Sequence, residues 1–212
     1  MKIGLLGKKL GMTRVFDSEG RAQAATVIAV GGNSVVQVKS VETDGYSAIQ
    51  LGFDEQKPQR MTKSELGHFK KAGVSPKKLL QEIRVPADLG DLSSIVFTAS
   101  HFEIGDSVDV VGRSKGKGFQ GIMKKHNASG QPAAHGSMMH RRTGAIGMRS
   151  TPGRIWKNQS MPGHLGDERK TVQNLRVLQV RPEDNVILVS GAVPGSIGGY
   201  VLVRPAKKAP RR

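Results

Sequence analysis

Alternating apolar and polar residues along this chain predict a protein built mainly from β-strands. The runs are rich in β-branched side chains and are bounded by Gly, Asn or Asp. Because a period of two is typical of strands that bury one face, we predict strands over residues 23–30, 35–41, 47–53, 95–99, 107–111, 172–180, 186–189 and 200–203. Strands on both sides of residues 110–166 indicate that this stretch is inserted in a closed or nearly closed β-barrel.

One helical insertion is predicted within the strand pattern, near residues 62–82. Ser75-Pro76 is typical of a helix start, since Pro is favoured in the first turn. The predicted organisation is therefore a globular body, residues 1–109 and 167–212, that carries this insertion and a separate segment over 110–166.

Residues 110–166, here called the basic segment, show no sustained period of two or 3.6 and contain eleven Gly. The segment has too few large apolar residues to make a core of its own. A long loop of this composition is either functional or disordered. We interpret it as both, mobile alone and ordered on a partner.

The distribution of charge indicates what that partner is. The chain has a formal net charge of +16, with 33 Lys and Arg against 17 Asp and Glu. The basic segment has ten Lys and Arg and no acid, and residues 185–212 have five and no acid, so the rest nets +1. A solvated face usually mixes both signs. A long acid-free stretch instead favours a phosphate-bearing partner, a nucleic acid.

The candidate RNA-binding residues are cations, imidazoles and one indole. Lysines between glycines allow backbone N–H groups to face phosphate as well, and arginines offer planar forks that suit phosphate and stack on bases. Trp156 has two open interpretations, base stacking or packing of the segment onto the body. The irregular, Gly-rich sequence contains no helix long enough for a DNA groove, which favours folded RNA. The predicted set is Lys115, Lys117, Lys124, Lys125, His126, His135, His140, Arg141, Arg142, Arg149, Arg154, Trp156, Lys157, Lys207 and Lys208.

Other kinds of site are disfavoured by what surrounds their motifs. Gly116–Gly121 matches a dinucleotide-binding pattern, but no acid follows at the required distance. The G-x-S-x-G at Gly112–Gly116 lacks an α/β setting. His135 and His140 have no Cys or carboxylate nearby to complete a metal shell. We therefore predict no cofactor, no metal and no enzymatic activity.

Cysteine usage and hydropathy set the expected location. The chain has no Cys, which favours a reducing compartment. No stretch approaches the ~20 apolar residues of a membrane span, and the N-terminus is too short in apolar residues for a signal peptide. We expect a soluble, intracellular protein without a membrane partner.

Short motifs in order along nearly the whole chain resemble one family. They are Gly7–Thr13, Asp44–Tyr46, Gly67–Phe69, Lys71–Gly73, Ser114–Phe119, His135–Ser137, His140–Arg142, Gly144–Gly147, Thr151–Arg154 and Gly191–Gly195. Together they are similar to the universal large-subunit ribosomal protein three family, in its bacterial or organellar form.

The resemblance implies a translation-factor-like β-barrel with a small α/β part and a long irregular basic extension. It implies direct binding of large-subunit ribosomal RNA near its 3′ end and a role early in assembly. It places the segment's tip, Met148, Arg149 and Ser150, near the peptidyl-transferase centre. It also implies large-subunit proteins fourteen and nineteen as neighbours, no homo-oligomer, and a location in cytoplasmic or organellar ribosomes.

This sequence departs from the family pattern at four places, one of which is Asn158–Ser160, where a more basic run is usual. The family's sequence signature ends in Arg where this chain has Lys125. The positive charge is kept, but the planar guanidinium group is lost. Ser150 stands where many members have a Gln that is methylated in some, so that modification does not carry over. Trp156 replaces a usual Phe or Tyr.

A second hypothesis is a free-standing RNA chaperone or an RNA-modifying enzyme with a basic tail. An enzyme needs an acid, base or nucleophile in its site, and the basic segment has no carboxylate. Stable sedimentation with large subunits favours the ribosomal hypothesis, whereas a free pool favours the alternative.

Overall fold

The structure is a computed structural model that describes residues 3–86 and 97–208. The chain forms two compact units. Met1–Arg113 with Arg169–Arg212 is called the body, and Ser114–Glu168 is called the loop unit.

Strands dominate the described residues, which confirms the mainly β prediction. In chain order the strands are β1 (Leu5–Phe16), β2 (Ala22–Ala29), β3 (Ser34–Lys39), β4 (Ala48–Glu55), β5 (Lys77–Arg84), β6 (Ser107–Arg113), β7 (Phe119–Gln120), β8 (Gly163–His164), β9 (Arg169–Arg181), β10 (Val186–Ser190) and β11 (Tyr200–Pro205). The helices are α1 (Val41–Asp44), α2 (Lys63–Ala72) and α3 (Ile122–His126), with 3-10 turns at Pro58–Arg60 and Ala99–His101.

Six strands of the body close into an antiparallel barrel in the order β1-β11-β6-β9-β10-β2, with β2 pairing back to β1. The barrel strands bury Val, Ile and Leu, and in β6, β10 and β11 the buried residues are consecutive. β6 and β9 are direct neighbours, paired from Ser107↔Arg176 to Arg113↔Arg169. The loop unit is therefore inserted in the connection between two hydrogen-bonded strands.

A second, three-stranded antiparallel sheet has the order β3-β4-β5, and α2 lies in the connection between β4 and β5. α2 begins after Thr62, which forms a capping box with Glu65. It ends at Gly73, whose φ of +66° suits the left-handed helix cap. Phe69 is its buried residue.

One apolar cluster joins the barrel and the three-stranded sheet. It includes Leu5 and Ile187 from the barrel and Ile49 and Leu51 from β4. Buried Asn33 links the two parts, since its side-chain amide bonds to both backbone polar groups of Leu6, at 3.1 and 2.8 Å. Buried polar groups nearly always have such partners.

Several predicted boundaries differ from the structure. The helix starts at Lys63 rather than at Ser75-Pro76, and Lys77–Arg84 is a strand because it pairs along β4. The predicted helical insertion over 62–82 is thus wrong after residue 72. Of the predicted strand over 95–99, residues 95 and 96 lie outside the described residues, Phe97 forms an isolated bridge with Asn33, and Ala99 begins a 3-10 turn. β1 was not predicted, because glycines and lysines interrupt its alternation.

Candidate nucleic-acid interface

The base of the loop unit is held by backbone hydrogen bonds between its two ends. The Ser114 N–H donates to the Glu168 carbonyl oxygen at 2.9 Å, and the Leu165 N–H donates to the Gly118 carbonyl oxygen at 3.0 Å. The short strands β7 and β8 pair next to them. A Cβ at Gly166 would collide with the Lys115 carbonyl, so glycine permits this close approach.

The helix α3 places the first group of predicted cations. Lys124, Lys125 and His126 lie in its last turn, where positive charge is favourable beside the free carbonyls of a helix end. Asn127, with φ of +58°, ends the helix. His126 Nε2 lies 3.1 Å from the Met161 carbonyl oxygen. Lys125 is half-buried, and its Nζ would be 2.7 Å from a Cβ at Gly163.

A smaller turn within the loop unit positions the second cation group. Gln131 N–H donates to the His140 carbonyl at 2.8 Å, which closes residues 131–140 into a local loop. Arg142 N–H donates to Met139 at 2.8 Å. His140 and its neighbours Arg141 and Arg142 are exposed. They are therefore held at a backbone turn with free side chains facing solvent.

The predicted tip residues are all exposed. Met148 is 80% exposed, and the two residues that follow it, Arg149 and Ser150, are also exposed. Gly153 has φ of +65°, and a Cβ there would lie 3.1 Å from the Ser150 carbonyl oxygen. The turn after Ser150 is thus tight enough to require glycine.

Arg154 and Trp156 form a stacked pair near the tip. The guanidinium carbon of Arg154 lies 4.9 Å from the centre of the Trp156 ring, within the range of a cation–π contact. The indole remains 58% exposed. The indole is thus accessible to a partner, and both interpretations of Trp156 stay predictions.

The remaining predicted residues fall in both units. In the loop unit Lys115, Lys117, His135 and Lys157 are exposed. Lys207 and Lys208 follow β11 in the body, where they are also exposed, and the Lys207 backbone N–H donates to buried Asp109. Sequence reasoning did not place Phe119 among the site residues, although its ring is 75% exposed. An aromatic residue in so polar a stretch was the signal that could have found it.

The arrangement suits contact with a polyanion. The loop unit has nine Lys and Arg, and its two acids, Asp167 and Glu168, both lie at its base. In residues 3–86 and 97–208 no group of three or more His, Asp and Glu is placed to hold a metal ion. Within the same ranges no helix is long and apolar enough to cross a membrane.

Comparison with known proteins identifies the relatives of this chain. The sequence profile of the family described as "Ribosomal protein L3" matches residues 87–186. The "Large ribosomal subunit protein uL3" of Akkermansia muciniphila is 58% identical over 210 residues, which cover 98% of this chain and 100% of that protein. The uL3 protein of Thioalkalivibrio sulfidiphilus is 52% identical over 212 residues, with 99% of each chain covered. That of Brachyspira pilosicoli is 46% identical over 206 residues, covering 97% of this chain and 94% of the relative.

The chain belongs to the uL3 family of large ribosomal subunit proteins. The resemblance found in the sequence motifs is confirmed. These relatives are named as ribosomal proteins and not as enzymes.

Proposed function

We propose that this chain is a structural constituent of the large ribosomal subunit, without enzymatic activity, and that it binds ribosomal RNA directly through its loop unit. One observation carries the proposal. Nine Lys and Arg side chains lie on a unit of 55 residues in which no described side chain is buried. Such a surface has free cations to offer and no carboxylate to repel phosphate above its base.

The backbone of the loop unit divides these cations into groups. One group follows α3, a second follows the turn closed at His140, and a third surrounds the stacked Arg154 and Trp156. The first two groups contain adjacent charges, Lys124-Lys125 and Arg141-Arg142, which suit neighbouring phosphates. The third combines a planar cation with an aromatic face, which suits an unstacked base. Phosphate contacts would fix the register of the protein on the RNA.

The tip has a different composition from the two charged groups. Between Gly144 and Gly153 the only charged residue is Arg149. A tip with few charges contributes little affinity, so its role would be to support the placement of nucleotides. By analogy with the family, we propose that Met148, Arg149 and Ser150 lie beside the peptidyl-transferase centre.

Family membership supports the finer parts of the proposal. These are binding near the 3′ end of the large-subunit RNA, nucleation of early assembly, and contacts with large-subunit proteins fourteen and nineteen. The closed six-stranded barrel is compatible with a translation-factor-like fold. The corresponding location is the ribosome, in the cytoplasm or in an organelle.

Sedimentation of cell extract tests the proposal against the alternative of a free RNA chaperone. We expect one copy of the chain per large subunit, retained in high-salt gradients. Substoichiometric association that high salt removes, with most of the chain in the soluble fractions, would contradict a structural role.

A further inference from the structure

The body contains a cavity of about 600 Å³ that no predicted function uses. It is bounded by the end of β5 and the following residues, by the start of β9 and by the end of β11. A volume of this size is typical of sites for small organic ligands. Its walls combine apolar side chains, among them Ile83, Val85 and Leu202, with four cations.

The four cations are Arg84, Arg169, Arg204 and Lys207, and Glu82 is the one acid among the lining residues. Glu82 already has partners, since Lys39 lies 2.7 Å from its carboxylate and the Tyr46 hydroxyl donates to it at 2.8 Å. Arg84 also lies beside this group, with its guanidinium carbon 5.0 Å from the centre of the Tyr46 ring. The lining has a net positive charge, with four cations against one acid. Arg84, Arg169 and Lys207 are exposed, which leaves their charges accessible from solvent.

Arg204 provides a second, independent indication of a ligand. Its Nη2 lies 3.7 Å from buried Asp109, which is directly opposite on β6. Its Nε is buried and has no hydrogen-bond partner in the structure. Buried N–H groups are nearly always paired, so an acceptor such as a water, an ion or a ligand oxygen is expected at this Nε.

An apolar wall beside a cluster of cations suits a ligand with a flat ring and a phosphate. Nucleotides carry both, and unpaired bases of folded RNA are often turned out of the stack and held in protein pockets. Lys208 follows Lys207 and is also exposed, which suits a further phosphate of the same strand. These features favour a nucleotide within an RNA over a free one.

We propose that this cavity of the body binds one unstacked nucleotide of the RNA, with its base against Val85 and Leu202 and its phosphate near Arg84 and Arg169. The proposal rests on the proposed function, because it assumes an RNA partner. It adds an RNA contact in the body to the contacts proposed for the loop unit.

Methyl NMR of the full-length free protein tests the base contact. The four ribonucleoside monophosphates and inorganic phosphate are titrated separately while the Ile83, Val85 and Leu202 methyl signals are followed. We expect at least one nucleotide to shift these signals and Arg84→Gln with Arg169→Gln to abolish the shift. Equal shifts with inorganic phosphate would reduce the cavity to an anion site and overturn the proposal, as would the absence of shifts.

RNA affinity then separates the possible sources of the nucleotide. The Arg84→Gln/Arg169→Gln variant should bind large-subunit RNA at least roughly fivefold more weakly than a control that loses two exposed arginines away from the cavity, Arg60→Gln/Arg181→Gln. Affinity equal to that control would overturn the proposal even if free nucleotides bind, since the cavity would then serve a free nucleotide.

A loop variant distinguishes failure of this inference from failure of the proposed function. If Arg141→Ala/Arg142→Ala weakens RNA binding while the cavity variant matches its control, only the cavity proposal fails. If neither variant weakens binding, the RNA-binding function itself is contradicted.

Discussion

The body and the loop unit are stabilised by different interactions. Every buried hydrophobic side chain among the described residues belongs to the body, including Leu5, Ile28 and Ile187 at 0% exposure. No described residue of the loop unit is buried. Its order comes from backbone hydrogen bonds at its base, from the turn at His140 and from glycines at close approaches. The body therefore carries its own core, whereas the loop unit does not.

This difference indicates how the two units divide the work. Fixing the backbone of one residue opposes folding by about 1–2 kcal/mol, and burial of apolar surface is the main compensation. The body has that compensation. The loop unit lacks it, and neutralisation of its cations by RNA phosphates would supply the missing free energy. We infer that the RNA sets the conformation of the loop unit.

The largest expected effect is the salt dependence of RNA binding. If about six side chains of the loop unit contact phosphates, log K against log salt should slope at about −4 to −5, so affinity should fall roughly 250- to 1,000-fold between about 50 and 200 mM salt. Filter binding of the isolated protein to large-subunit RNA measures it. A variant that joins residues 1–113 to 169–212 by a short linker removes the loop unit and keeps β6 and β9 whole. It serves as control, with a cooperative thermal transition showing that it is folded. A wild-type slope near zero would contradict phosphate contact by the loop unit.

Matched substitutions should separate the two units in stability. Ile187→Ala in the barrel should lower the free energy of unfolding by about 3 kcal/mol, because it removes buried apolar volume. Ile146→Ala in the loop unit, where the side chain is 44% exposed, should change it by less than about 0.5 kcal/mol. Urea unfolding of the free protein compares them. Similar losses for both variants would mean that the loop unit belongs to the same cooperative core.

Within the loop unit, substitutions at the charged turn, Arg141 and Arg142, should have different effects from substitutions at the predicted tip. Arg141→Ala with Arg142→Ala should weaken RNA binding by about 1 kcal/mol and lower the yield of mature subunits, since phosphate contacts position the protein. Arg149→Ala or Ser150→Trp should leave the yield normal and alter the rate of peptide transfer or the response to inhibitors of that centre, where misplacement by about 1 Å affects rate. Gradient profiles and single-turnover peptide transfer measure both. The opposite pattern would reverse the assigned roles.

A smaller effect is expected at the contact between the barrel and the three-stranded sheet. The Tyr200 hydroxyl donates to Asp54 at 2.6 Å, and this bond is the main cause that lowers the pKa of Asp54. A carboxylate with a depressed folded-state pKa stabilises the protein above its unfolded pKa, and that stability is lost as pH falls through the folded value. Tyr200→Phe should therefore reduce stability near pH 7 by no more than about 1 kcal/mol and reduce its loss in acid.

Urea unfolding of wild type and Tyr200→Phe at about pH 7 and about pH 3 checks this prediction. Lys39→Met is a useful comparison, because it removes a different ion pair, with Glu82, on the three-stranded sheet. An unchanged acid dependence in Tyr200→Phe would show that the hydrogen bond does not set the pKa of Asp54.

The sequence was most informative where one physical signal dominates. Runs rich in β-branched residues predicted β2, β4, β9, β10 and β11 to within a few residues, because these strands pack apolar side chains into the core from the barrel or, for β4, from the three-stranded sheet. The signal failed where tertiary pairing decides the structure. Lys77–Arg84 contains a strand-compatible alternation, but Ser75-Pro76 before it suggested a helix, and only pairing with β4 selects the strand.

The candidate site shows the same division. Acid-free composition identified the cations of the basic segment without any structure, since charge does not depend on fold. The cavity at Arg84, Arg169 and Arg204 was not predicted, because these residues are distant in sequence and the rest of the body is nearly neutral. Arg204 on β11 and Arg169 on β9 come near each other only because both strands pair with β6.

Amide hydrogen exchange tests the central claim most directly, namely that RNA orders a unit which has no core of its own. Exchange is measured by mass spectrometry across the loop unit, residues 114–168, in the free protein and in its complex with large-subunit RNA, with barrel peptides from β10 as internal reference. We predict fast exchange through the loop unit in the free protein, strong protection in the complex, and equal protection of β10 in both. Equal protection of the loop unit in both states would contradict the account.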